Sequence, residues 1–334
     1  MRVSVIVLAW GVEPYLQACV SSVLASHGVE LELVVVDNGS PAVAGLPPSS
    51  RVRIVTAPRN LGFAGGVNLG VAHATGECLV LLNSDAIIRS DSIERLVDGL
   101  TDFDVVSGGI RIADRPQLMN SAGNPVHFMG LVWAGGHETP ASLFPDRRAV
   151  ASASGAFLAV RRTDWDALGG FPADYFAYHE DTELSLRAWL TGRRVGFVPD
   201  AIAAHHYEFS RNPAKMYLLQ RNRWLTVLTT FPTKVLWAAL PMMVLFEFAL
   251  AGLSLAQGWF RGWLRAWLSL FGQLGRIRSR RRECQAQAVV PDAMFAGLLT
   301  TAIDPAMIPL PAGTSLVNRI FAAYWRVALR LTGV

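Results

Sequence analysis

The sequence predicts an α/β protein: a doubly wound, mostly parallel sheet with flanking helices, followed by a C-terminal region of hydrophobic and amphipathic helix. Three observations predict it. Leu79-Val80-Leu81-Leu82 closes on Asn83-Ser84-Asp85, and an apolar run so bounded fits a strand buried on both faces of a parallel sheet. Strand-like and helix-like segments alternate as β-α-β-β-α-β up to that point, which implies right-handed crossovers. The charge then changes sign along the chain. Residues 1–210 carry 15 Lys and Arg against 22 Asp and Glu, and residues 211–334 carry 15 against 4. An acidic body with a basic tail points to a membrane or phosphate partner, and the Trp and Leu content of the tail favours lipid over nucleic acid.

The elements follow in order. Val3 to Trp10 is β-branched and apolar, a central strand. Pro14 to Leu24 places Leu16, Val20, Val23 and Leu24 at helical spacing. Leu31 to Val36 is a second strand ending in Asp37-Asn38-Gly39-Ser40, and Val52 to Thr56 a third. Asn60 to Asn68 is a glycine-rich turn entering a helix, where close backbone approach and a helix N-terminus both suit phosphate. No G-x-G-x-x-G follows the first strand, where Ala9-Trp10-Gly11 stands, and this argues against a dinucleotide enzyme. Ser154 to Val160 is a further strand with small residues at its mouth. Arg161 and Arg162 behind it suit phosphate or a solvated strand end. Thr182 to Thr191 is a helix with a Glu183–Arg187 pair and Gly192 as its stop, and Val195 to Val198 is a strand leading to His205-His206.

Several side chains admit two roles. Asp85, outside a strand's carboxyl end, either caps the next turn or holds a hard divalent cation that bridges phosphate oxygens. Glu180 and Asp181 either cap a helix or provide a general base beside a structural carboxylate. His205 and His206 follow a strand, so only one faces a site, as metal ligand or phosphate donor.

These motifs together resemble the family-2 glycosyltransferases, which have the GT-A fold, over residues 1–230. VVVDNGS (34–40), NLGFAGGVN (60–68), LLNSD (81–85), SGAFLAVRR (154–162) and YHEDTELSLRAW (178–189) match in order and spacing. HHYEFSRNPAKMYLLQRNRW (205–224) is similar to the bacterial rhamnosyltransferase-like branch acting on lipid-linked cell-wall or polysaccharide intermediates. The resemblance implies an inverting transferase that moves a sugar, such as L-rhamnose from dTDP-rhamnose or a sugar from a UDP donor. Its acceptor would be a polyprenyl-diphosphate-linked saccharide. A transferase acting on polyprenyl phosphate and a silent membrane scaffold are the alternatives.

By the same resemblance Asp37 would bind the base, and Ala9, Asn60, Gly65, Asn68, Asn83 and Ser84 would line the nucleotide-sugar site. Asp85 and His205 would bind Mg²⁺ or Mn²⁺, with Asn83 where the family's first metal-site Asp stands. Asp181 would be the base with Glu180 beside it. Gly155, His179, Arg221, Arg223 and Trp224 would meet the acceptor or the diphosphate; Gln220 to Trp224 fits Q-x-x-R-W.

Residues 231–334 form the second expected region. Val235 to Gln257 is long enough to cross a bilayer, yet Pro241 and Glu247 interrupt it. Trp259, Trp263 and Trp267 recur with Arg261 and Arg265, a stripe of interfacial anchors, and Arg276, Arg278, Arg280, Arg281 and Arg282 follow. One crossing would strand that cluster on the wrong side, so an in-plane or re-entrant arrangement is expected on the cytoplasmic face of the inner membrane. A buried helical subdomain or homodimer interface is the other use of such a tail. Residues 283–313 read as loop-rich and 315–331 as a final amphipathic helix. Cys19, Cys78 and Cys284, unpaired and widely spaced, fit a reducing compartment.

Overall fold

The computed structural model describes residues 2–206, 214–304 and 314–334. In chain order the elements are β1 (Arg2–Ala9), α1 (Leu16–Leu24), β2 (Glu30–Asp37), β3 (Val52–Thr56), α2 (Gly62–His73), β4 (Cys78–Asn83), β5 (Ala86–Ile88) and α3 (Ser92–Asp98). Next come β6 (Val105–Ile112), β7 (Arg115–Ser121), β8 (Val126–His127), β9 (Arg148–Ala149), β10 (Phe157–Arg161), α4 (Arg162–Leu168), α5 (Glu180–Leu190) and β11 (Val195–His205). The remainder is α6 (Lys215–Thr230), α7 (Thr233–Ala256), α8 (Phe260–Phe271), α9 (Leu274–Ala286), α10 (Asp292–Gly297), β12 (Leu299–Thr300) and α11 (Thr314–Thr332).

The chain divides into two compact units. One holds Met1–Asn124, Ala134–Ala188 and Arg193–Glu208; the other holds Pro125–Trp133, Trp189–Gly192 and Phe209–Val334. The boundary read from sequence, 230, is the end of α6, a helix that packs on α8 and α9 within the second unit.

In the first unit the sheet runs β3-β2-β1-β4-β10-β6-β11-β5. Strands β3, β2, β1 and β4 are parallel. Side chains of β1 alternate between two apolar layers, as a strand buried on both faces requires. Val3, Val5 and Val7 join Leu16, Cys19, Val20 and Val23 of α1 in one core. Ile6 and Leu8 face α2. A Cβ on Gly70 would stand 2.6 Å from Ile6, and one on Gly66 would stand 2.3 Å from Leu8. These glycines therefore serve close packing of helix on sheet, and the helix begins at Gly62, not after them.

Several pairings depart from parallel order, β5 and β9 with β11 and β7 with β6 among them, and the departure at β10 shapes the site. β10 lies antiparallel between β4 and β6. An antiparallel neighbour starts where β4 ends, so residues 154–156 arrive beside Asn83, whose N–H donates to Ala156 O at 3.0 Å. The expected strand at 195–198 and the segment 201–204 are one strand, β11, with a register shift between Val198 and Ile202 where Pro199 interrupts pairing.

A buried carboxylate ties the sheet's lower end to α2. Glu32 accepts from Ser4 Oγ at 2.6 Å and from Thr75 Oγ1 at 2.9 Å, with Arg2 alongside. Burial pushes this carboxyl up, but those donors outweigh it and hold it below the usual glutamate range. A depressed folded-state value adds stability above the unfolded value, and that stability fades as pH falls through the folded one. Glu32→Ala is expected to lose about 2 kcal/mol near neutral pH. In urea titrations across pH the gap to the parent should close in acid; a gap unchanged by acid would contradict this account.

In the second unit β8 pairs with β12 in parallel. Phe128 stacks on Trp325 at 4.8 Å between ring centres, and Phe231 meets Phe295 at 5.5 Å. The segment 283–313, read as loop-rich, contains the end of α9, the short α10 and β12; residues 305–313 lie outside the described residues. Of the expected arginine cluster, Arg281 turns inward and donates to Leu228 O and Phe231 O, closing the C-terminus of α6. Among the described residues, α7 is the helix long and apolar enough to cross a membrane. It buries one side only. Ala238, Ala239, Met243 and Glu247 face inward, while Trp237, Val244, Leu245 and Phe248 are exposed.

Candidate active site

The carboxyl ends of the parallel strands carry the candidate residues of the first unit. At the end of β2, Asp37 Oδ1 accepts from the N–H groups of Gly39 and Ser40 at 3.0 Å each. This fixes the carboxylate and leaves Oδ2 without a partner among the described residues. Asn38, which sequence reasoning passed over, is 1% exposed. Its amide donates to Asn60 Oδ1 at 3.0 Å and its oxygen accepts from Leu61 N at 2.8 Å. Asn60 is thus locked to the β2 loop at the mouth of α2. Ala9 ends β1 opposite Asp37 and accepts from Asn38 N at 2.9 Å.

At the end of β4, Asp85 Oδ1 stands 3.0 Å from His205 Nε2, and Asn83 Nδ2 stands 3.2 Å from the same nitrogen. On the far side of the ring, His205 Nδ1 lies 3.2 Å from Asn120 Oδ1. A carboxamide oxygen only accepts, so Nδ1–H donates to Asn120, and Nε2 is turned towards Asp85 and Asn83. A carboxylate and an imidazole, with phosphate oxygens from a substrate, are a donor set suited to Mg²⁺ or Mn²⁺. A cluster of three His, Cys, Asp or Glu side chains is absent among the described residues. Asn120 sits in the role that a metal-binding histidine's outer partner takes. In the sequence Asn120 opens Asn120-Ser121-Ala122-Gly123, which reads as a loop over a site and says nothing of the partner. His206 turns away and stacks on Tyr15 at 3.7 Å. Behind the strand, Cys19 Sγ donates to Asn83 O at 3.4 Å. Burial, and then the charges of Asp85 and Glu13, push that thiol up, so it stays a donor. Ser84 is buried beside them.

Asp181 lies in the first turn of α5, and both its oxygens are held. Oδ2 accepts from Gly155 N at 2.9 Å, and Oδ1 accepts from Thr182 N at 2.6 Å. Gly155 reaches it because β10 starts at the end of β4. Burial raises the Asp181 carboxyl, and these donors work against that rise. Glu180 is buried with Oε2 unpartnered among the described residues. Burial first, and then the charge of Asp181, push the Glu180 carboxyl well above the usual range. The segment before α5 is strained. Phe176, Tyr178 and His179 have φ of 66°, 70° and 70°. The start of α2 grips this turn: Ala64 N donates to Phe176 O at 3.1 Å, and a Cβ on Gly62 would lie 2.3 Å from that oxygen. Gly62 is therefore needed for the placement of Glu180 and Asp181, a link that sequence spacing does not reveal.

Five of the expected residues have the following surroundings. The Asn68 amide donates to Phe171 O at 2.8 Å and its oxygen accepts from Phe171 N at 3.1 Å, clamping a turn. Gly65 lies in the first turn of α2, its nearest side-chain neighbour Leu61 of the same helix. Arg223 and Trp224 lie in the second unit and are bound to Glu247. The Arg223 guanidinium pairs with Glu247 Oε1, and Trp224 Nε1 donates to the same oxygen at 2.9 Å. Gln220, Trp263 and Trp267 donate to Oε2 at 2.7, 3.1 and 3.3 Å. Glu247, which interrupts the apolar stretch, is the acceptor at the centre of this unit's polar core. Arg223 is 2% exposed, and its guanidinium is paired within this core. Arg221 donates to Tyr217 Oη at 3.0 Å in the same unit.

The model of glycosyl transferase family 2 matches residues 4–140, and that of glycosyl transferase family group 2 matches residues 78–291. The chain is 34% identical over 100 residues to the succinoglycan biosynthesis protein ExoO of Rhizobium meliloti, a match covering 29% of each. It is 26% identical over 244 residues to the N-acetylglucosaminyl-diphospho-decaprenol L-rhamnosyltransferase of Mycobacterium tuberculosis, covering 63% of this chain and 78% of that one. Among solved structures, GalNAc-T7 with UDP, GalNAc and Mn²⁺ superposes with a TM-score of 0.57 at 16% identity, covering 71% of this chain and 50% of that one. TarS 1–349 of S. aureus with UDP-GlcNAc gives 0.52 at 17% identity, covering 99% and 91%. At such identities these two speak for the fold alone.

Proposed function

Since the chain belongs to the family-2 glycosyl transferases, we propose that it moves a hexosyl group, inverting its anomeric centre, from a nucleotide sugar to a polyprenyl-diphosphate-linked saccharide at the cytoplasmic face of the membrane. The observation that carries this reading is the facing pair Asp85 and His205, 3.0 Å apart at the end of β4 beside Asn83. Asp85 and His205 would hold a divalent cation, Mg²⁺ or Mn²⁺. When bound, that ion offsets the charge of the departing nucleoside diphosphate without proton transfer. Asp37 and the Asn38–Asn60 bracket hold the nucleoside end. Asp181 accepts the proton of the acceptor hydroxyl as its oxygen bonds to the anomeric carbon. The bond from that carbon to phosphate breaks, and the nucleoside diphosphate leaves with the electron pair.

L-Rhamnose from dTDP-rhamnose, or a sugar from a UDP donor, is the favoured transfer. The rhamnosyltransferase similarity over 63% of the chain supports both the sugar and a lipid-linked acceptor. Membrane attachment is supported by the exposed apolar side of α7 and by the exposed Leu264, Leu268 and Phe271 of α8, which alternate with Arg261 and Arg265.

The test is thermal shift of the full chain with dTDP-, UDP- and GDP-sugars, with Mn²⁺ or with chelator. One dTDP- or UDP-sugar should raise the melting temperature only with metal, and Asp85→Ala should abolish that rise. Equal shifts with metal and with chelator would sink the metal site; no shift with any donor would sink the donor reading.

A further inference from the structure

Helix α11 carries a line of exposed arginines. Arg319, Arg326 and Arg330 stand at i, i+7 and i+11, a spacing that one helical face collects. Arg326 and Arg330 are one turn apart, and like charges at that spacing destabilise a helix. Among the described residues neither guanidinium has an ion pair or a hydrogen bond. Arg330 lies in the last turn, where it offsets the partial charge of the helix C-terminus; Arg326 stands a turn earlier, where that effect has faded.

On one side of this line the second unit holds an open groove. Its volume of about 480 Å³ falls inside the range of about 300–1,000 Å³ for small-ligand sites. It is lined by Ala296 and Gly297 of α10 and by Ala322, Trp325 and Leu329 of α11, and Arg326 joins the lining. Trp325 is held by its stack on Phe128, so that wall is preformed. A Cβ on Gly297 would meet nothing within 4 Å, so the space beside α10 is open. On the other side of the line, Leu316, Ile320, Val327 and Leu331 form an exposed apolar stripe along α11.

Together these features select one ligand. A hydrocarbon chain fits the groove, an anion fits the arginine pair, and the apolar stripe sets both beside an acyl layer. A free anion would leave the groove empty, and a second copy of this chain would bring a further row of arginines to the same face. We propose that α10 and α11 form a site for one anionic phospholipid of the bilayer, with an acyl chain in the groove and the phosphate between Arg326 and Arg330. The chain removes Ala296, Ala322 and Leu329 from water, and the phosphate offsets the two like charges. Binding at this unit thereby depends on the composition of the leaflet as well as on its apolar depth. The site rests on the reading of the second unit as membrane-attached, and it adds which lipid is held and where.

The test titrates the full chain with dioctanoylphosphatidylglycerol by calorimetry. The parent should bind it saturably and about tenfold more tightly than dioctanoylphosphatidylcholine, the scale of one or two charge-assisted hydrogen bonds. Gly297→Leu fills the groove without touching charge and should abolish saturable binding; Ala293→Leu on the same wall is the second groove-filling variant. Arg326→Gln should erase the preference for the anionic lipid and keep binding of the chain, and Arg278→Gln on α9 should change neither. Circular dichroism melts check that each variant folds. Equal binding of the two lipids by the parent, or undiminished binding by both folded groove-filling variants, overturns the site. Glycerol 3-phosphate bound as tightly as the lipid would assign a free anion and overturn it too. Co-flotation with phosphatidylglycerol vesicles runs beside the titration. A parent that floats yet binds no dioctanoylphosphatidylglycerol overturns this site and leaves membrane attachment standing. A parent that does not float overturns membrane attachment and the site with it.

Discussion

Asp181→Asn is expected to lower turnover by about 10²- to 10⁴-fold, the range for loss of a positioned general base. Nucleotide-sugar binding should be unchanged. The substitution keeps shape and leaves Oδ1 to accept from Thr182 N, but an amide cannot take the proton of the acceptor hydroxyl. Its NH₂ also meets the Gly155 N–H that now donates to Oδ2, so modest loosening of the 155 turn is expected as well. Separating the effects requires a donor thermal shift beside the turnover assay. In the parent, the acid limb of the pH–rate profile should lie above the ordinary aspartate range, because burial raises the Asp181 carboxyl and activity needs it ionised. Turnover within threefold of the parent, or loss of donor binding in step with turnover, would remove Asp181 from the role of base. Glu180→Gln is the companion: a carboxyl that burial and the charge of Asp181 both push up should tolerate the neutral amide far better than Asp181 does.

The second large effect is on stability. Glu247→Ala should cost about 3–5 kcal/mol, because it leaves the buried Arg223 charge unpaired. Three indole N–H groups lose their acceptor at the same time. Trp224, Trp263 and Trp267 report the change directly through fluorescence during denaturation. Replacing Arg223 and Glu247 together by leucine should recover most of the loss, since an apolar pair of similar volume often substitutes for a buried ion pair. A single Glu247→Ala that unfolds with the parent would show that Arg223 is solvated or paired elsewhere.

Much of the first unit was legible from order along the chain. Apolar runs marked β1, β2 and β4, those of β2 and β4 end in polar residues, and strand ends in such sheets are where ligands lie, so Asp37 and Asp85 stood out without a structure. The Glu183–Arg187 pair at one helical turn formed as spacing alone predicts, at 2.7 Å. Contacts between segments far apart in sequence were beyond that reading. Asn120 reaches His205 across 85 positions, Gly62 supports the turn before Asp181, and Asn68 turns away to Phe171.

In the second unit the balance shifts further towards tertiary structure. Sequence marked Glu247 as a defect in an apolar helix, Gln220 to Trp224 as a substrate motif, and the tryptophans as a surface stripe. Folding joins all three, because a carboxylate removed from water must gather donors, and the arginine, glutamine and indoles are the donors within reach. By itself the sequence determined the family, the strands β1 to β4 and β10 with the first part of β11, and the carboxylates at the ends of β2 and β4, since these follow from local periodicity and from short motifs in a set order. The tertiary structure alone decided which polar groups pair. A hydrogen bond depends on distance and direction between side chains, and periodicity along one segment carries neither.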